Sequence, residues 1–514
     1  MDNLTLPHLN YAALAPMLIL FGAACVGILV DAFVPRKGRY GVQLVVALAG
    51  LVGAFIAIIA RIGKVTADNA VTAGGAVAVD KAALFLQGAI VVLGAVALLL
   101  IGERALERGG PFVAQAAITV GSEADQQQAK TGSGATETFP LALFSLSGMM
   151  LFVASNDLLT MFIALEVFSL PLYLLCALAR RRRLISQEAA LKYFLLGAYA
   201  SAFFLFGLAL LYGFSGGVGF AQIHTAAQDS KNPVVLLYAG LALLSIGLLF
   251  KAAAAPFHVW TPDVYQGAPT PITALMAACT KVAAFGGLLR VLYVGFDRVE
   301  WQYAPIISAV AALTMIVGAI LAVTQTDIKR LLAYSAIANA GYLLVGVMGS
   351  SKDGLSSVMF YLVAYGFTVI AAFAVVTLVR DADGEATHLS RWAGLGRRSP
   401  FYATVFTVIL LSFAGIPLTS GFTAKFAVFS AAGGGDQSWL IIVGVVSSMI
   451  LAFPYLRVVV MMWLSEPGES TPSVSIPGAL TAAALVIGVV ITIAAGVVPQ
   501  PLIELTTNAA SFVR

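Results

Sequence analysis

Fourteen apolar runs succeed one another along the chain, and each is long enough to cross a membrane as a helix. A helix needs about 20 such residues to span ~30 Å of hydrocarbon. Helices are favoured there because they satisfy their backbone hydrogen bonds internally. The runs lie near residues 12–34, 41–62, 82–102, 138–155, 158–179, 188–213, 234–258, 271–296, 303–323, 328–349, 355–379, 400–431, 437–464 and 477–502. They predict an all-α polytopic membrane protein with about 14 transmembrane helices.

The composition supports this class and excludes others. Hydrophobic residues make up 60% of the 514 residues and charged residues only 11%, far from the balance of a soluble domain. The net charge of +4 gives no indication of nucleic-acid binding. Cys25, Cys176 and Cys279 lie in apolar runs without metal-type spacing, so we interpret them as small core residues. The N-terminal segment lacks the basic region of a cleavable signal peptide.

The basic residues of the loops predict the orientation. With both termini outside, the inner loops hold 16 lysines and arginines and the outer loops hold 7. The inner set is Arg36, Lys37, Arg39, Arg104, Arg108, Lys130, Arg180, Arg181, Arg182, Arg183, Lys329, Arg330, Arg380, Arg391, Arg397 and Arg398. The outer set is Arg61, Lys64, Lys81, Lys231, Arg298, Lys352 and Arg514. By the positive-inside rule, we expect both termini on the outer, periplasmic side of a bacterial cytoplasmic membrane.

Six basic residues fall inside the predicted spans, and their depth separates them. They are Lys192, Lys251, Lys281, Arg290, Lys425 and Arg457. Arg290 and Arg457 lie near helix ends, where a long side chain reaches the headgroups, so we expect structural or interfacial roles. Lys192, about one turn into its run, fits either an interfacial or a functional role. The other three lie deeper, where an unpaired ammonium group is costly, and a static ion pair is the alternative to a role in ion movement.

Glu166 is the one carboxylate clearly at mid-membrane depth, about nine residues into the fifth run. Asp31 lies near the inner end of the first run and is interpreted as interfacial. A nearby carboxylate favours the charged form of a lysine, whereas burial favours the neutral amine. A deep carboxylate among deep lysines is therefore the minimum equipment of a proton relay.

Two of the runs are interrupted. Pro256 removes a backbone donor and clashes with the preceding turn, so the seventh helix should open near Ala252. In the twelfth run, Gly415, Pro417 and Gly421 interrupt an otherwise apolar helix. Broken helices are tolerated in membranes only where they are buried in protein or line a wet cavity. A pair of them is typical of the ion pathway of a transporter built from inverted repeats.

The order of lysine and proline predicts how the repeats are arranged. Lys251 precedes its proline, whereas Lys425 follows its proline, as expected for two inverted five-helix repeats with discontinuous helices 7 and 12. We assign helices 1–3 and a long polar cytoplasmic loop to residues 1–137, the repeats to 138–296 (helices 4–8) and 297–464 (helices 9–13), and helix 14 to 465–514.

Four stretches carry a resemblance to a known family. They are SQEAALKYFLLGAYASAFFLFG (186–207), FKAAAAPFHVWTPDVYQGAPTPITA (250–274), QTDIKRLLAYSAIANAGYLLVG (325–346) and GIPLTSGFTAKF (415–426). The chain resembles the antiporter-like membrane subunits of bacterial proton-pumping NADH:quinone oxidoreductase, respiratory complex I. The phrase EAALKYF and the lysine of the twelfth span resemble the type called subunit N. The resemblance implies a proton-translocating subunit of that enzyme.

The resemblance also implies roles for individual residues of a proton relay. Glu166 resembles the fifth-span glutamate that pairs with the seventh-span lysine, and Lys251 resembles that lysine, the switchable proton carrier. Lys281 resembles the central lysine of the connecting axis, and Lys425 the lysine of the exit half. Lys192 resembles the sixth-span lysine of the family, whose role is less defined.

The path residues beside these lysines include one departure from the family. Pro256 and Pro417 mark the two helix breaks, and the segment with His258 is predicted to form the inner mouth of the path. Family members often carry histidine where Asn339 stands. Asparagine can order water but cannot titrate, so a proton-carrying role at this position is in doubt.

Metal and redox chemistry are not indicated in this chain. His258 with one aspartate, Asp263, lacks the ligand count of a closed metal site. The sequence has no dinucleotide fingerprint and no cysteine cluster for iron–sulfur ligation. The resemblance implies that NADH, FMN, iron–sulfur clusters and quinone bind to partner subunits. It also implies other membrane subunits, including antiporter-like neighbours, as partners.

Two other functions fit the same fold. A subunit of a multi-subunit cation/proton antiporter would share both broken helices, and its partners would be small membrane proteins alone. A passive scaffold would tolerate replacement of all three deep lysines. The loop at 103–137, rich in Gln, Gly, Ser and Thr, is interpreted as a disordered insertion, with contact to a neighbouring subunit as the alternative.

Overall fold

The structure is a computed structural model. It describes residues 9–107, 110–113, 122–123, 127, 135–228, 233–349, 351–381, 384–433, 438–467 and 472–513, apart from the side chains of 67 and 68. Most of the polar loop at 103–137 lies outside the described residues. So do four loop residues of the orientation count, Arg108, Lys130, Lys231 and Arg514.

The first half of the chain forms a series of long apolar helices. We number the main helices α1 Tyr11–Phe33, α2 Arg36–Ile62, α3 Lys81–Gly102, α4 Thr138–Ala154, α5 Leu158–Cys176, α6 Arg183–Ser215, α7a Val234–Ala252 and α7b Trp260–Gly267. Several begin at an aspartate or asparagine whose side chain accepts from the first turn, such as Asp80 before α3 and Asp157 before α5. Such caps satisfy backbone donors that a helix leaves free at its N-terminus.

The second half continues in the same way. Its main helices are α8 Thr270–Gly295, α9 Glu300–Val323, α10 Ile328–Val347, α11 Lys352–Leu378, α12a Pro400–Ala414, α12b Ser420–Ala432, α13 Ser438–Leu464, α14 Ala479–Val497 and α15 Gln500–Ala509. Helix α8 contains two wider, π-helical turns at Met276–Thr280 and Val291–Gly295. π-Helical turns inside α-helices occur frequently at functional sites.

Short helices and strands join these spans. The short helices are Ala67–Ala70, Phe220–Ala226 and Leu395–Arg398, and 3-10 turns occur at Ala73–Gly75, Asp297–Val299 and Leu389–Trp392. The strands are β1 Val71–Thr72, β2 Val77–Ala78, β3 Val379–Asp381, β4 Gly384–Glu385 and β5 Ser473–Val474. Strands β1 and β2 form an antiparallel pair, and β3 lies between β4 and β5, antiparallel to both. The strands only close loops between helices.

The predicted class, an all-α polytopic membrane protein, is confirmed. Among the described residues, 12 helices are long and apolar enough to cross a membrane. Two shorter apolar helices, Thr138–Ala154 and Pro400–Ala414, lie at predicted spans 4 and 12. The second of these is short because the span is interrupted, as the glycines and the proline predict. The count of 14 crossings stays a prediction.

Burial divides the helices into an inner and an outer group. Helices α8, α10 and α11 are buried along almost their whole spans, whereas α1, α2, α13 and α14 are at most 39% buried. Close approach of neighbours depends on glycine: a Cβ on Gly207 of α6 would lie 2.5 Å from the backbone nitrogen of Leu244 in α7a. Small residues at such crossings are typical of membrane helices, which associate by close packing. Lys281 lies on α8 in the buried centre.

Candidate functional site

The seventh span is broken where the sequence predicts. Helix α7a ends at Ala252, and Ala253 takes the left-handed conformation with φ +62°. The amide of Ala254 donates to the carbonyl of Leu249 at 2.9 Å, which closes the helix end. Pro256 follows a cis peptide bond, and the amide of Ala255 donates to Oγ1 of Thr314 on α9 at 2.9 Å. The break is therefore stabilised by a neighbouring helix.

Lys251, in the last turn of α7a, is buried among hydroxyl groups and aromatic rings. Its side chain is 4% exposed, and Nζ donates to Oγ of Ser169 at 2.8 Å and to the hydroxyl of Tyr173 at 3.4 Å. Nζ also lies 5.4 Å from the ring centroid of Phe168 and 5.2 Å from that of Tyr193. Rings at this distance attract a cation, so the pocket accommodates the ammonium form without a carboxylate in contact.

Glu166 lies on the same helix as the hydroxyl partners of Lys251 but does not touch the lysine. Its carboxylate accepts from Oγ of Ser201 on α6 at 2.5 Å. Among the described residues, the ion pairs within 4 Å do not include one between Glu166 and Lys251. Ser169 and Tyr173 follow Glu166 by three and seven residues, which puts all three on one face of α5. The side-chain hydrogen-bond partners of Lys251 are two hydroxyl groups on the helix that carries Glu166.

Lys281 is buried in the centre of the molecule, at the end of α7a. It is 2% exposed, and Nζ donates to the carbonyl of Ala252 at 3.4 Å. That carbonyl belongs to the last residue of α7a, where helical carbonyls have no partner within the helix. Nζ also lies 5.9 Å from the ring centroid of Tyr365 on α11. Lys281 therefore caps the end of α7a at the seventh-span break. In the order of the buried lysines it follows Lys251.

Lys425 occupies a similar position at the break in the twelfth span. It is 7% exposed, and Nζ donates to the carbonyls of Phe413 at 2.9 Å and Ala414 at 3.1 Å, the last residues of α12a. A third bond goes to Oγ of Ser448 on α13 at 2.8 Å. Gly415 follows with φ +85°, and a Cβ there would lie 3.2 Å from Nζ of Lys425. The glycine makes room for the ammonium group.

Asn339 belongs to a series of hydrogen-bonded polar side chains between Lys281 and Lys425. Its Oδ1 accepts from the hydroxyl of Tyr361 at 2.5 Å, and its Nδ2 donates to the carbonyl of Ser335 at 2.8 Å. Oγ of Ser335 accepts in turn from the hydroxyl of Tyr455. A cavity of about 10 Å³ lies beside Asn339, Tyr361 and Lys425. That volume is close to the minimum that holds one water molecule.

Lys192 takes part in a separate cluster at the predicted inner end. Helix α6 begins at Arg183, so Lys192 lies nine residues into it and not about one turn. Its Nζ bonds the carboxylates of Glu188 at 2.7 Å and Asp263 at 2.8 Å, and Arg330 bonds Asp263 at 2.7 Å. The cluster joins α6, α7b and α10. Lys192 is partly exposed and does not contact the three deep lysines by hydrogen bond.

The remaining predicted path residues lie within the two breaks. Pro256 and Pro417 are exposed on the surface of the chain. His258 is partly buried. Within the described residues, no group of three or more His, Cys, Asp or Glu side chains is arranged to hold a metal ion.

One buried ion pair was missed by the sequence analysis. Arg290, expected near a headgroup or in a structural role, is fully buried and bonds both oxygens of Asp80 at 2.9 Å. The amide of Val513 also donates to Asp80 at 3.0 Å, so the pair fastens the C-terminal segment. Asp80 stands just before the third apolar run, a capping position that the sequence could have indicated. Arg457, in contrast, is exposed, in agreement with an interfacial role.

The two broken helices, with buried lysines at their free carbonyl ends, define the class of antiporter-like membrane subunits. The family described as "NADH:quinone oxidoreductase/Mrp antiporter, TM" matches residues 155–451. NADH-quinone oxidoreductase subunit N of Salinispora arenicola is 68% identical over 521 residues, covering 100% of both chains. The subunit of the same name from Rhodococcus opacus is 55% identical over 99% of this chain and 97% of its own. This chain therefore belongs to that antiporter family and, within it, to the subunit N family of NADH-quinone oxidoreductase.

Solved structures agree with this assignment. A chain in the structure of respiratory complex I from Thermus thermophilus with bound aureothin has 32% identity and a TM-score of 0.75, covering 95% of this chain and 98% of that chain. A chain of the Mrp complex from Dietzia sp. has a TM-score of 0.82 over 98% of this chain and 97% of its own. At 24% identity, the second likeness shows the fold alone.

Proposed function

We propose that the chain is a proton-translocating membrane subunit of NADH:quinone oxidoreductase, complex I, and moves protons through a relay of Glu166, Lys251, Lys281 and Lys425. The observation that carries the proposal is the placement of three buried lysines at the two helix breaks. Three ammonium groups at such depth are costly to bury. A requirement to take up and release protons at these positions explains why the chain carries lysines there despite the cost. The membership in the subunit N family supports the same conclusion.

The first step is control of Lys251 by charge. Glu166 acts on Lys251 through the field across Ser169 and Tyr173, because no atom of the two charged groups is in contact. When a neighbouring subunit changes the charge or the position of Glu166, the ammonium form of Lys251 loses stabilisation. The hydroxyl groups that hold Nζ at 2.8 Å and 3.4 Å can accept its hydrogen bonds in either state of the carboxylate. Lys251 is thus the switchable member of the relay.

The second step passes the proton along the buried centre. Lys281 bonds the carbonyl of the residue next to Lys251, so the proton passes between the two lysines at the end of α7a. From there, Tyr361 and Asn339 lead toward Lys425 beside a cavity of water size. Asparagine holds no titratable proton, so its role is to orient the hydroxyl and the water. Asn339 stands where the family often has histidine, and the neighbouring hydroxyls of Tyr361 and Ser335 supply exchangeable protons there.

Entry and exit follow from the predicted orientation. With both termini outside, the cluster of Lys192, Asp263 and Arg330 lies toward the inner face, below His258. Protons reach Lys251 from this side and leave from the half that contains Lys425. The two halves are the inverted repeats, residues 138–296 with Lys251 and residues 297–464 with Lys425.

The redox chemistry belongs to other subunits in this proposal. NADH, FMN, the iron–sulfur clusters and quinone bind to partner chains, and this chain is a translocase component without a redox site of its own. Its partners are the other membrane subunits of the complex, including antiporter-like neighbours, in a bacterial cytoplasmic membrane. Conformational or electrostatic change at those neighbours reaches the relay through Glu166, which is partly exposed on α5.

Proton pumping by a lysine variant tests the proposal. Lys251→Ala, measured in inverted membrane vesicles by NADH-driven acidification, should lower pumping by about a hundredfold, because the switchable carrier is gone. Lys352→Ala, an exposed lysine at the start of α11, is the matched control and should pump normally. Full pumping by a correctly assembled Lys251→Ala complex would refute the relay.

A subunit of a multi-subunit cation/proton antiporter is the second candidate, because the matching family is described as "NADH:quinone oxidoreductase/Mrp antiporter, TM". The proteins that purify with the chain in detergent separate the two candidates. A hydrophilic arm with flavin and iron–sulfur clusters supports complex I. Small membrane proteins alone support the antiporter.

A further inference from the structure

An apolar groove is lined by none of the relay residues. It has a volume of about 450 Å³ and is formed by α2, α3, α11 and the C-terminal helix α15. Its floor consists of buried side chains such as Ile58, Leu84 and Leu93. Its rim is exposed, with Ile59 at 54% and Leu505 at 52%. Only two lining side chains, Lys81 and Asn508, are polar.

The groove follows the membrane normal over the depth of one leaflet. Along α3 it extends from Lys81, the first residue of the helix, to Leu93. Twelve residues of helix rise about 18 Å, and one leaflet contributes about 15 Å of hydrocarbon. The polar end therefore lies at the headgroup level and the apolar end near the middle of the bilayer.

The size of the groove suits a single hydrocarbon chain. An apolar cavity of about 150 Å³ accepts a six-carbon ring, so one of about 450 Å³ accepts roughly 18 carbon atoms, the length of one acyl chain. A transmembrane helix is ~10 Å across, so the same volume would contain little more than one of its turns. The groove is too small to seat a protein helix along its length.

The polar end carries a positive charge. Lys81 is exposed, and in the part of the chain that the structure describes its ammonium group has no ion-pair partner. Asn508, on the C-terminal helix, also lines the groove, and the segment after it approaches Lys81 because the amide of Val513 donates to Asp80 at 3.0 Å. A lysine beside an amide at headgroup level matches an anionic phosphate in charge and in hydrogen-bond donors.

Helix α15 closes the groove from one side. Leu502, Leu505 and Ala509 line it at a spacing of three and four residues, which puts them on one face of the helix. Gln500 and Glu504 bond each other on the exposed surface. The apolar face of α15 therefore forms one wall of the groove.

We propose that this groove binds one phospholipid with an anionic headgroup, whose acyl chain lies along α3 and whose phosphate is held by Lys81 and Asn508. The proposal does not depend on the proton relay, because none of its residues belongs to it. The lipid would fasten helices α2 and α3 and the C-terminal helix to the central helix α11.

Native mass spectrometry of the purified complex, titrated with phosphatidylglycerol or with phosphatidylcholine of the same acyl chains, tests the proposal. Gly88→Phe puts a ring into the groove, since a Cβ at Gly88 meets only Ile58, at 4.0 Å. This variant should retain one phosphatidylglycerol fewer than the wild type. The matched control is Gly22→Phe on α1, where a Cβ meets nothing within 4 Å.

The charge is tested separately, by a variant that leaves the floor of the groove unchanged. Lys81→Gln should weaken phosphatidylglycerol binding about fivefold and phosphatidylcholine binding less, because the choline cation already offsets the charge of its phosphate. Lys352→Gln, another exposed lysine at the first position of a helix, should alter neither. Equal lipid retention in Gly88→Phe and Gly22→Phe, unchanged phosphatidylglycerol affinity in Lys81→Gln, or a segment of a neighbouring subunit seated in the groove would each overturn the proposal.

Discussion

Both broken helices leave free backbone carbonyls at the end of their first half, and different residues bond these carbonyls in the two helices. In α7 the break runs from 253 to 259, and in α12 from 415 to 419. Each first half ends in a residue with positive φ, Ala253 in α7 and Gly415 in α12. Each free carbonyl end receives a lysine ammonium group. The lysine comes from the next helix in the first case and from the second half of the same helix in the other.

The difference assigns different tasks to the two breaks. The first break has two lysines: Lys281 caps it, so Lys251 is left to its hydroxyl partners on the helix of Glu166. The second break has one lysine, and the groups around Lys425 are neutral: two carbonyls, a serine hydroxyl and a tyrosine ring. We infer that the first break responds to a charge, whereas the second responds to the geometry of its own helix.

Arginine substitutions give the sharpest test of this comparison. Arginine keeps the positive charge but does not release a proton. If both capping lysines carry protons, Lys281→Arg and Lys425→Arg should each lower NADH-driven pumping by about a hundredfold while the complex assembles. Normal pumping by either assembled variant would show that its lysine only caps the helix.

Removal of the carboxylate should affect the first break alone. Glu166→Gln is expected to lower quinone-dependent NADH oxidation by about tenfold, because the loss of a nearby opposite charge changes a lysine's proton equilibrium by at least that factor. Ser201→Ala, which keeps the charge and removes one hydrogen bond to it, serves as the control and should have a smaller effect. Equal turnover of Glu166→Gln and the wild type would mean that the carboxylate is structural.

Between the breaks, the hydrogen-bonded side chains of Tyr361, Asn339 and Ser335 should make a moderate contribution to proton pumping. Tyr361→Phe removes the bond to Asn339, and one hydrogen bond is worth about a fivefold change. We expect pumping to fall by about that factor while assembly is unchanged. Tyr303→Phe, on α9 and outside this chain of bonds, is a matched tyrosine control. If both variants pump alike, protons do not pass Tyr361.

The smallest effect concerns the backbone of the two breaks. A left-handed residue other than glycine costs about 1–2 kcal/mol, so Gly415→Ala should destabilise the subunit by about that amount. Ala253→Gly should leave stability unchanged or raise it slightly, because glycine relieves the same cost in α7. Thermal denaturation of the purified complex, followed by loss of the subunit, measures both. A Tm shift in the same direction for both variants would contradict the comparison.

The sequence predicts the helices and the breaks because both arise from local rules. Apolar length fixes the spans, and Pro256 and Gly415 interrupt their helices through backbone chemistry that needs no distant partner. The depth of Lys251, Lys281 and Lys425 follows from their position within a span. All three are buried, as that position predicts.

Local sequence rules do not predict which side chains on different helices contact each other. The contact of Lys281 with Ala252 depends on how α8 crosses α7a, and the pair of Arg290 with Asp80 joins residues 210 apart in sequence. For Glu166, the family resemblance implied a pair with Lys251, whereas the lysine donates to Ser169 and Tyr173 on the helix that carries the carboxylate. Their spacing of three and seven residues was visible in the sequence, but not the direction from which Lys251 approaches.

The two π-helical turns of α8 have a consequence for how Lys281 can move. A π-helical turn holds one residue more than an α-helical turn, and one such turn lies on each side of the segment Lys281–Arg290. If the surplus residue migrated from one turn to the other, the segment between would rotate by about 100° while both ends of α8 stayed in place. Such a rotation would move Lys281 away from the carbonyl of Ala252 without unfolding α8. Structures of the complex at rest and during turnover would reveal this as a shift in the position of the wide turn.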